Sequence, residues 1–384
     1  MFARQEPAPR PPPVRAEAAE TQSPEDTLGP VHLKALKTAI MNVLGTELAE
    51  FTYAQIVDGY PTNSSFREFH YCEEDHPVRQ QEALCDGAVS VFQSFRSSFN
   101  PLTLKFNQAT LKAFEQEHPG TRPFHLRLIE LLAVAVHQIA ANLFDAYSVG
   151  NPHKVEYDAW RAERLRRAAS GDEAYRYCRI SPPVVFYHRD YPINYYEQYP
   201  RDISDVVGYW AEAKIFGGVL LFDRGESETE CREVWVHPSS QIRCPRTLFP
   251  PTAEQFSSLV AFLLSEQTAK EGTAEQTTGT ECPLPIRASS LNGPRFLRYH
   301  ATKYFHIFRD KYDSRLPEWY AEFNCSSSSL DFPEIEDELA LLRGEDDDGP
   351  LDETKRAARI AGLRNITPSS PLWCRSSSTR GRYP

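Results

Sequence analysis

The side chains with the greatest capacity for chemistry lie between Phe186 and His237. Four of them stand near the ends of predicted strands and are candidate catalytic residues: His188, Asp190, Glu212 and Asp223. A histidine beside carboxylates can act as a general acid or base, or can share a metal ion with them. The alternative is that His188 and Asp190 form an ordinary ion pair and that Glu212 lies on the solvent-facing side of a helix.

The same stretch is unusually rich in aromatic rings. Ten of the 37 residues from Phe186 to Phe222 are Phe, Trp or Tyr, compared with 12% of the whole chain. A second aromatic stretch covers residues 296–323. Such rings can line a pocket for a flat organic ligand, or they can simply fill a tyrosine-rich core. The candidate ligand-binding residues are Tyr187, Tyr209, Trp210, Phe222 and Tyr304.

Two other groups of residues are of chemical interest. The run from His70 to His76 contains two histidines, a cysteine and three acids, but no second cluster completes it. Since metal sites usually draw ligands from separate rigid elements, this run is predicted to be a polar surface loop. His137 interrupts an apolar helix and is predicted to be a buried histidine with a hydrogen-bond partner. We expect no metal site and no cofactor.

The motifs of several enzyme classes are missing. The chain has no GxGxxG, GxxxxGK[ST], GxSxG or HExxH sequence. A nucleotide-dependent or serine-hydrolase mechanism would therefore lack its usual signature.

Hydrophobic periodicity predicts the elements that hold these residues. Strands are expected at 184–187, 219–222 and 233–237, and the last two are expected to pair as an antiparallel hairpin. Gly45 should weaken the first helix without breaking it. The fold class is α+β, with a helix-rich N-terminal half packed on a small mixed sheet with flanking helices. Helices are predicted over residues 31–51, 78–98, 102–117, 124–147, 157–178, 204–215, 252–267 and 294–312.

Composition divides the 384 residues into three regions. Residues 1–29 are predicted to be a disordered proline-rich leader, and 30–323 a single domain with a subdomain border near 180 and a mobile loop at 268–290. Residues 324–384 are predicted to be a disordered tail. Asp331–Glu353 carries eleven acids and one arginine, whereas 354–384 carries seven basic residues and no acid. Such a tail could also contact a protein partner.

Net charge and cysteine spacing limit the cellular compartments and the classes of binding partner that the sequence suggests. The net charge of -11 argues against nucleic-acid binding. The eight cysteines form no CxxC pair and indicate a reducing compartment. The N-terminus lacks the apolar run of a signal peptide, and the stretch from Leu131 to Phe144 is too short and polar to span a bilayer. We expect a soluble cytoplasmic protein with no membrane contact.

One segment carries a resemblance. Tyr199–Glu212, YPRDISDVVGYWAE, and Gly217–Asp223, GGVLLFD, resemble a segment of uncharacterised proteins of filamentous fungi. The resemblance covers roughly residues 180–320. It implies a fungal intracellular protein and carries no established activity and no site residues.

These observations lead to one principal hypothesis and two alternatives. The principal hypothesis is a non-catalytic small-molecule-binding or accessory protein, whose aromatic-lined pocket takes a small aromatic ligand. The first alternative is an enzyme that acts on a small organic molecule through the His, Asp and Glu residues of 188–223. The second is a protein-interaction scaffold whose charged tail recruits a partner.

Overall fold

The computed structural model of the chain describes residues 20–171, 182–191, 196–238, 245–266, 281–310 and 328–373. The fold is α+β, as predicted. The helices are α1 (Pro30–Leu44), α2 (Glu47–Asp58), α3 (Asn63–Phe69), α4 (Ala88–Ser98), α5 (Gln108–Gln116), α6 (Arg122–Tyr147), α7 (Pro152–Ala169), α8 (Ile203–Phe216), α9 (Ala253–Leu264), α10 (Arg298–Phe305), α11 (Glu334–Arg343) and α12 (Glu353–Gly362).

The strands are short and form three small antiparallel sheets. The central sheet has the order β4-β3-β5, and its β3–β4 hairpin confirms the predicted pairing, with Val219 opposite His237. The remaining sheets are two-stranded. The strands are β1 (Thr21–Gln22), β2 (Phe106–Asn107), β3 (Val219–Asp223), β4 (Val234–His237), β5 (Ile307–Phe308), β6 (Glu345–Asp346) and β7 (Gly349–Pro350).

Helix α6 is the centre of the packing. It contacts α8 most extensively and also packs on α1, α2 and α5. Within the described residues it is the one helix that is long and apolar enough to cross a bilayer, and 83% of that apolar window is buried inside the protein. Burial on most sides explains why apolar residues surround the helix rather than forming a single stripe.

Gly45 breaks the first predicted helix rather than merely weakening it. α1 ends at Leu44, and α2 begins two residues beyond Gly45. The hydroxyl oxygen of Thr46 accepts a hydrogen bond from the amide of Ala49, which satisfies one of the free donors at the start of α2. A glycine followed by a threonine therefore ends one helix and caps the next.

The aromatic C-terminal region also differs from its predicted form. Residues 184–187 are a bend and not a strand, and the helix predicted over 294–312 is shortened to α10. His306, with a positive φ of 53°, ends α10 and directs the chain into β5. β5 then pairs with β3 as a third strand, opposite Phe222 and Asp223.

The predicted disorder is wrong for the described parts of both ends. Residues 1–19 lie outside the described residues, but Thr21 and Gln22 pair with β2. In the tail, Phe332 is fully buried, and the Asp331 carboxylate accepts a hydrogen bond from the amide of Thr247 at 3.1 Å. The predicted mobile loop is described only from residue 281.

Opposite charges that are separated in the sequence lie side by side in the folded tail. The basic helix α12 lies against the acidic helix α11, and Arg359 contacts Asp337 at 3.0 Å and Asp346 at 3.5 Å. Lys355 contacts Asp346 at 3.1 Å. The opposite charges that look like a solvated tail in the linear sequence thus neutralise each other across a helical hairpin.

Candidate functional site

A buried histidine joins the two central helices. The Nδ1–H of His137, on α6, donates to Glu212 Oε1 at 2.7 Å, and its Nε2–H donates to Asp205 Oδ1 at 3.0 Å. Arg309, just after β5, donates to the same Glu212 oxygen. All four side chains are less than 10% exposed. The prediction that His137 is a buried, hydrogen-bonded histidine is therefore confirmed.

The spacing along α8 creates the space for this ring. Asp205, Gly208 and Glu212 stand at i, i+3 and i+7, so they share one face of the helix. A Cβ atom at Gly208 would lie 2.5 Å from the His137 ring atoms, closer than any real contact. Gly208 thus lets the imidazole lie directly against the helix backbone between the two carboxylates.

The cluster is balanced in charge. Burial alone would lower the pKa of His137, but the hydrogen bonds and charges of Asp205 and Glu212 outweigh it and raise that pKa. Together with Arg309, the imidazolium supplies two positive charges to two carboxylates. An imidazolium that donates through both nitrogens has no lone pair with which to accept a proton, so His137 cannot act as a general base in this state.

A second buried cluster contains two of the candidate catalytic residues. His188 Nδ1 accepts the amide of Asp190 at 3.1 Å, and His237 Nε2 lies 3.9 Å from Asp190 Oδ2. The Tyr191 hydroxyl lies 3.3 Å from His237 Nδ1. The Arg298 guanidinium covers the Tyr191 ring and donates to the Asp190 carbonyl.

The pKa values of the two histidines in the second cluster are lowered, whereas that of His137 is raised. Burial lowers the pKa of His188 to about 4 and that of His237 to about 3. Both rings are therefore neutral near pH 7. Burial opposes ionisation of Asp190, but the nearby histidines and Arg298 lower its pKa below the ordinary value.

Stacked tyrosine rings separate the two clusters. Tyr191 stacks on Tyr209 with ring centres 4.3 Å apart, and Tyr209 meets the His137 ring edge-on at 4.7 Å. Phe186 contacts Trp210 at 4.8 Å. The rings thus touch one another, and the void beside Val184–Phe186 measures about 10 Å³, room for a single water molecule.

The structure brings only some of the candidate ligand-binding residues together. Tyr209, Trp210 and Phe222 are at most 1% exposed and belong to the core. Tyr187 stacks on His70 with ring centres 3.8 Å apart, at the edge of that core. Tyr304 is 49% exposed on α10, beside Tyr299 and His300. These rings do not enclose a common cavity within the described residues.

The four candidate catalytic residues do not converge either. His188 and Asp190 belong to the second cluster, whereas Glu212 hydrogen-bonds in the first. Asp223 lies at the far end of β3, about 13 Å along the strand from Val219, which pairs with His237. Its carboxylate accepts the amide of Gly225 at 2.9 Å and so stabilises the turn after β3.

The His70–His76 run is more buried than predicted. His76 is 7% exposed and Cys72 is 8% exposed. His76 Nδ1 accepts the amide of Val78 at 3.2 Å, and His70 Nε2 lies 2.9 Å from the carbonyl oxygen of Tyr187. His70 therefore ties the loop to the body of the protein, and His76 caps the turn that follows it.

Sequence reasoning missed Arg309 as the partner of the Glu212 carboxylate and Arg298 as the donor to the Asp190 carbonyl. Arg309 is 97 residues from Glu212, and Arg298 is 108 residues from Asp190, so no local pattern links them. The Asp205–Gly208–Glu212 spacing on a predicted helix was the one readable signal of a buried polar face.

Comparisons with known proteins add no relative. No protein-family model matches the chain, and neither the curated proteins nor the solved structures contain a match. The resemblance to fungal proteins therefore stays a prediction.

The contact between Gly208 and His137 can be tested by adding one methyl group. We expect Gly208→Ala to lower the free energy of unfolding by about 3 kcal/mol, because the ring must leave its two carboxylates. Chemical denaturation measures the change. Gly293→Ala is the control, since its new Cβ would lie 3.6 Å from Pro250, an ordinary contact. Equal effects of the two substitutions would contradict the proposed packing.

The neutral histidines should make the protein sensitive to acid. Because His188 and His237 have folded pKa values near 4 and 3, below the ordinary value of about 6.5, the unfolded state binds protons first as the pH falls. As the pH falls from about 6 to about 4.5, each of these two histidines should lower the free energy of unfolding by about 1.4 kcal/mol per pH unit.

The variant His188→Gln should therefore show a shallower loss of unfolding free energy with acid than the unaltered protein, by about 1.4 kcal/mol per pH unit. Denaturant titrations at several pH values measure this slope. The exposed His118→Gln serves as control and should keep the original slope. An unchanged slope in His188→Gln would show that His188 is protonated in the folded protein.

Proposed function

We propose that this chain is a non-catalytic accessory protein that works by binding a protein partner at its surface. The observation that supports this best is the solid aromatic interior. Rings from the bend at 184–187, from α8 and from the central sheet belong to one packed core. The void beside Val184–Phe186 has a volume of about 10 Å³, whereas ligand pockets measure several hundred Å³.

The buried polar groups support the same proposal. In the first cluster two carboxylates are matched by two cations, and in the second two neutral histidines flank an ionised Asp190. Groups arranged in this way stabilise one packing of the core. The interior therefore serves the fold.

An enzyme remains the second candidate because two candidate catalytic residues, Glu212 and His188, each have a buried polar atom without a hydrogen-bond partner among the described residues. Glu212 Oε2 is buried and has no hydrogen-bond partner among the described residues. Unsatisfied buried groups occur at functional sites, where a substrate can complete them. However, Glu212 Oε1 is already engaged by His137 and Arg309, and Tyr209 lies over the same cluster. We favour the accessory role because a substrate would have to displace these groups.

A basic stripe on α12 is the surface that we propose for the partner. Arg356 and Ile360 are exposed one turn apart on this helix, and Arg364 follows in the next turn. No residue of α12 is buried, because only its Lys355 and Arg359 side faces α11. Within the described residues, Arg356 and Arg364 make no ion pair. On a chain of net charge -11, two unpaired arginines around an isoleucine fit an acidic segment that carries an apolar side chain.

The closed interior can be tested with a library of aromatic compounds in a thermal-shift assay. We expect no compound to raise the melting temperature of the unaltered protein. Phe222→Ala is the positive control, because it removes a fully buried ring and should create a cavity that binds benzene or a similar compound. A compound that stabilises the unaltered protein, and loses this effect when Trp210 is replaced by Phe, would contradict the proposal and favour a ligand pocket.

The basic stripe can be tested with a fluorescent acidic amphipathic peptide and with the same peptide carrying lysines in place of its acids. We expect the acidic peptide alone to bind, and binding to weaken as salt is added. Arg356→Glu combined with Ile360→Glu should abolish binding without changing the melting temperature, because both side chains are exposed. Lys37→Glu, at an exposed position on α1, is the control. Equal binding of both peptides, or retained binding by the double variant, would overturn the proposed surface.

A further inference from the structure

Three side chains of types that bind metals meet at the edge of the protein: Asp58 is buried, His153 is half-buried and Cys85 is exposed. Asp58 ends α2, Cys85 lies in the loop before α4, and His153 lies in the first turn of α7. One donor atom from each lies within 4.8 Å of the other two. Cys85 Sγ and His153 Nε2 are 3.2 Å apart. Donor atoms around a tetrahedral zinc ion are separated by about 3.5 Å, so this spacing needs little adjustment.

The framework behind these side chains is built from several elements. The Asn151 amide donates to the Asp58 carbonyl at 3.1 Å, and its oxygen accepts the amide of His153 at 3.0 Å. Asn151 thus ties the end of α2 to the start of α7. Gly59, with φ of 94°, allows this contact, because a Cβ there would lie 2.3 Å from the Asn151 oxygen.

The donor side chains are themselves oriented. The His153 ring lies against Tyr60 with ring centres 4.4 Å apart. Gln81 donates to Asp58 Oδ2 at 2.9 Å, and the Cys85 amide donates to the same oxygen at 3.3 Å. Partners that orient ligands in this way are typical of metal sites, where they fix the side chains before the ion binds.

We propose that Asp58, Cys85 and His153 form a Zn²⁺ site with one coordination position open to solvent. A thiolate, an imidazole and a carboxylate are the ligands that zinc prefers, whereas Ca²⁺ and Mg²⁺ require several oxygen ligands and would find one here. Binding replaces the Cys85 S–H bond by an S–Zn bond and releases the proton to solvent. A water molecule or a donor from a partner completes the four ligands.

A cysteine–histidine catalytic pair is the other chemistry that these residues suggest. A nucleophilic cysteine needs a stabilised thiolate. Here burial and the neighbouring Asp58 both raise the pKa of the Cys85 thiol. The carboxylate beside the sulfur disfavours a free thiolate, and the same carboxylate is useful when a dication lies between them.

The site can be tested by titrating the metal-free full-length protein with Zn²⁺ against a chromophoric chelator, and with Co²⁺ as an optical probe. We expect one equivalent of Zn²⁺ to bind, no competition from Mg²⁺ or Ca²⁺, and a thiolate-to-cobalt absorption band. Cys85→Ser and His153→Gln should weaken Zn²⁺ binding at least tenfold, and Cys85→Ser should remove the band.

The exposed free thiol Cys282 provides a matched control, and Cys282→Ser should bind Zn²⁺ as the unaltered protein does. Zn²⁺ should also protect Cys85, and not Cys282, from alkylation, as read by mass spectrometry of the folded protein. Binding that survives Cys85→Ser, or an unprotected Cys85 thiol at saturating Zn²⁺, would overturn the proposal and leave a plain thiol–imidazole hydrogen bond. Neither outcome bears on the partner surface of α12.

Discussion

The cluster of His137, Asp205, Glu212 and Arg309, here called the clamp, is the constraint on which the rest of the structure depends. It joins α6 to α8 through two carboxylates, and Arg309 joins both to the end of the central sheet. Removing one member of a buried ionic cluster typically costs about 3–5 kcal/mol, because the remaining charges are left unpaired in a low dielectric. The helices and the sheet must therefore assemble together. Gly208 is part of this constraint, since it sets the distance between the ring and α8.

Local patterns were sufficient for most of the elements. The apolar spacing of residues 124–147 predicts α6, and the β3–β4 hairpin follows from an apolar run and an alternating run on either side of a turn. Patterns failed where a distant partner decides the outcome. The acidic and basic halves of the C-terminal region look unfolded separately, but they form a hairpin in which Arg359 and Lys355 reach acids on the preceding elements. In the same way, no feature near Glu212 identifies Arg309 as its partner.

The candidate site also shows that local sequence patterns do not identify contacts between distant residues. Aromatic density between Phe186 and Phe222 was a correct sign that this region is central, because rings supply large buried areas. The density of aromatic residues in a sequence cannot distinguish a packed core from a ligand pocket, since both contain rings. Only the contacts between the rings in the folded protein distinguish the two. In this protein Tyr191, Tyr209 and Trp210 face other rings, and His188 and Glu212 fall on opposite sides of the tyrosine stack.

Because the rings and buried polar groups of the described core contact one another, we place the proposed sites on the surface. The basic stripe on α12 and the Asp58–Cys85–His153 cluster lie on separate elements, and neither shares a residue with the buried network. Arg356, Ile360 and Cys85 are exposed, so these positions can be changed without opening the aromatic core.

The most direct measurement of the central claim is the protonation state of His137, read from the ¹⁵N chemical shifts of its two ring nitrogens. If the clamp is a charge-balanced element of the fold, both nitrogens should carry protons at neutral pH and remain protonated above the ordinary histidine pKa of about 6.5. A neutral ring, with one nitrogen free and a titration near that ordinary value, would contradict the account and make His137 available as a base.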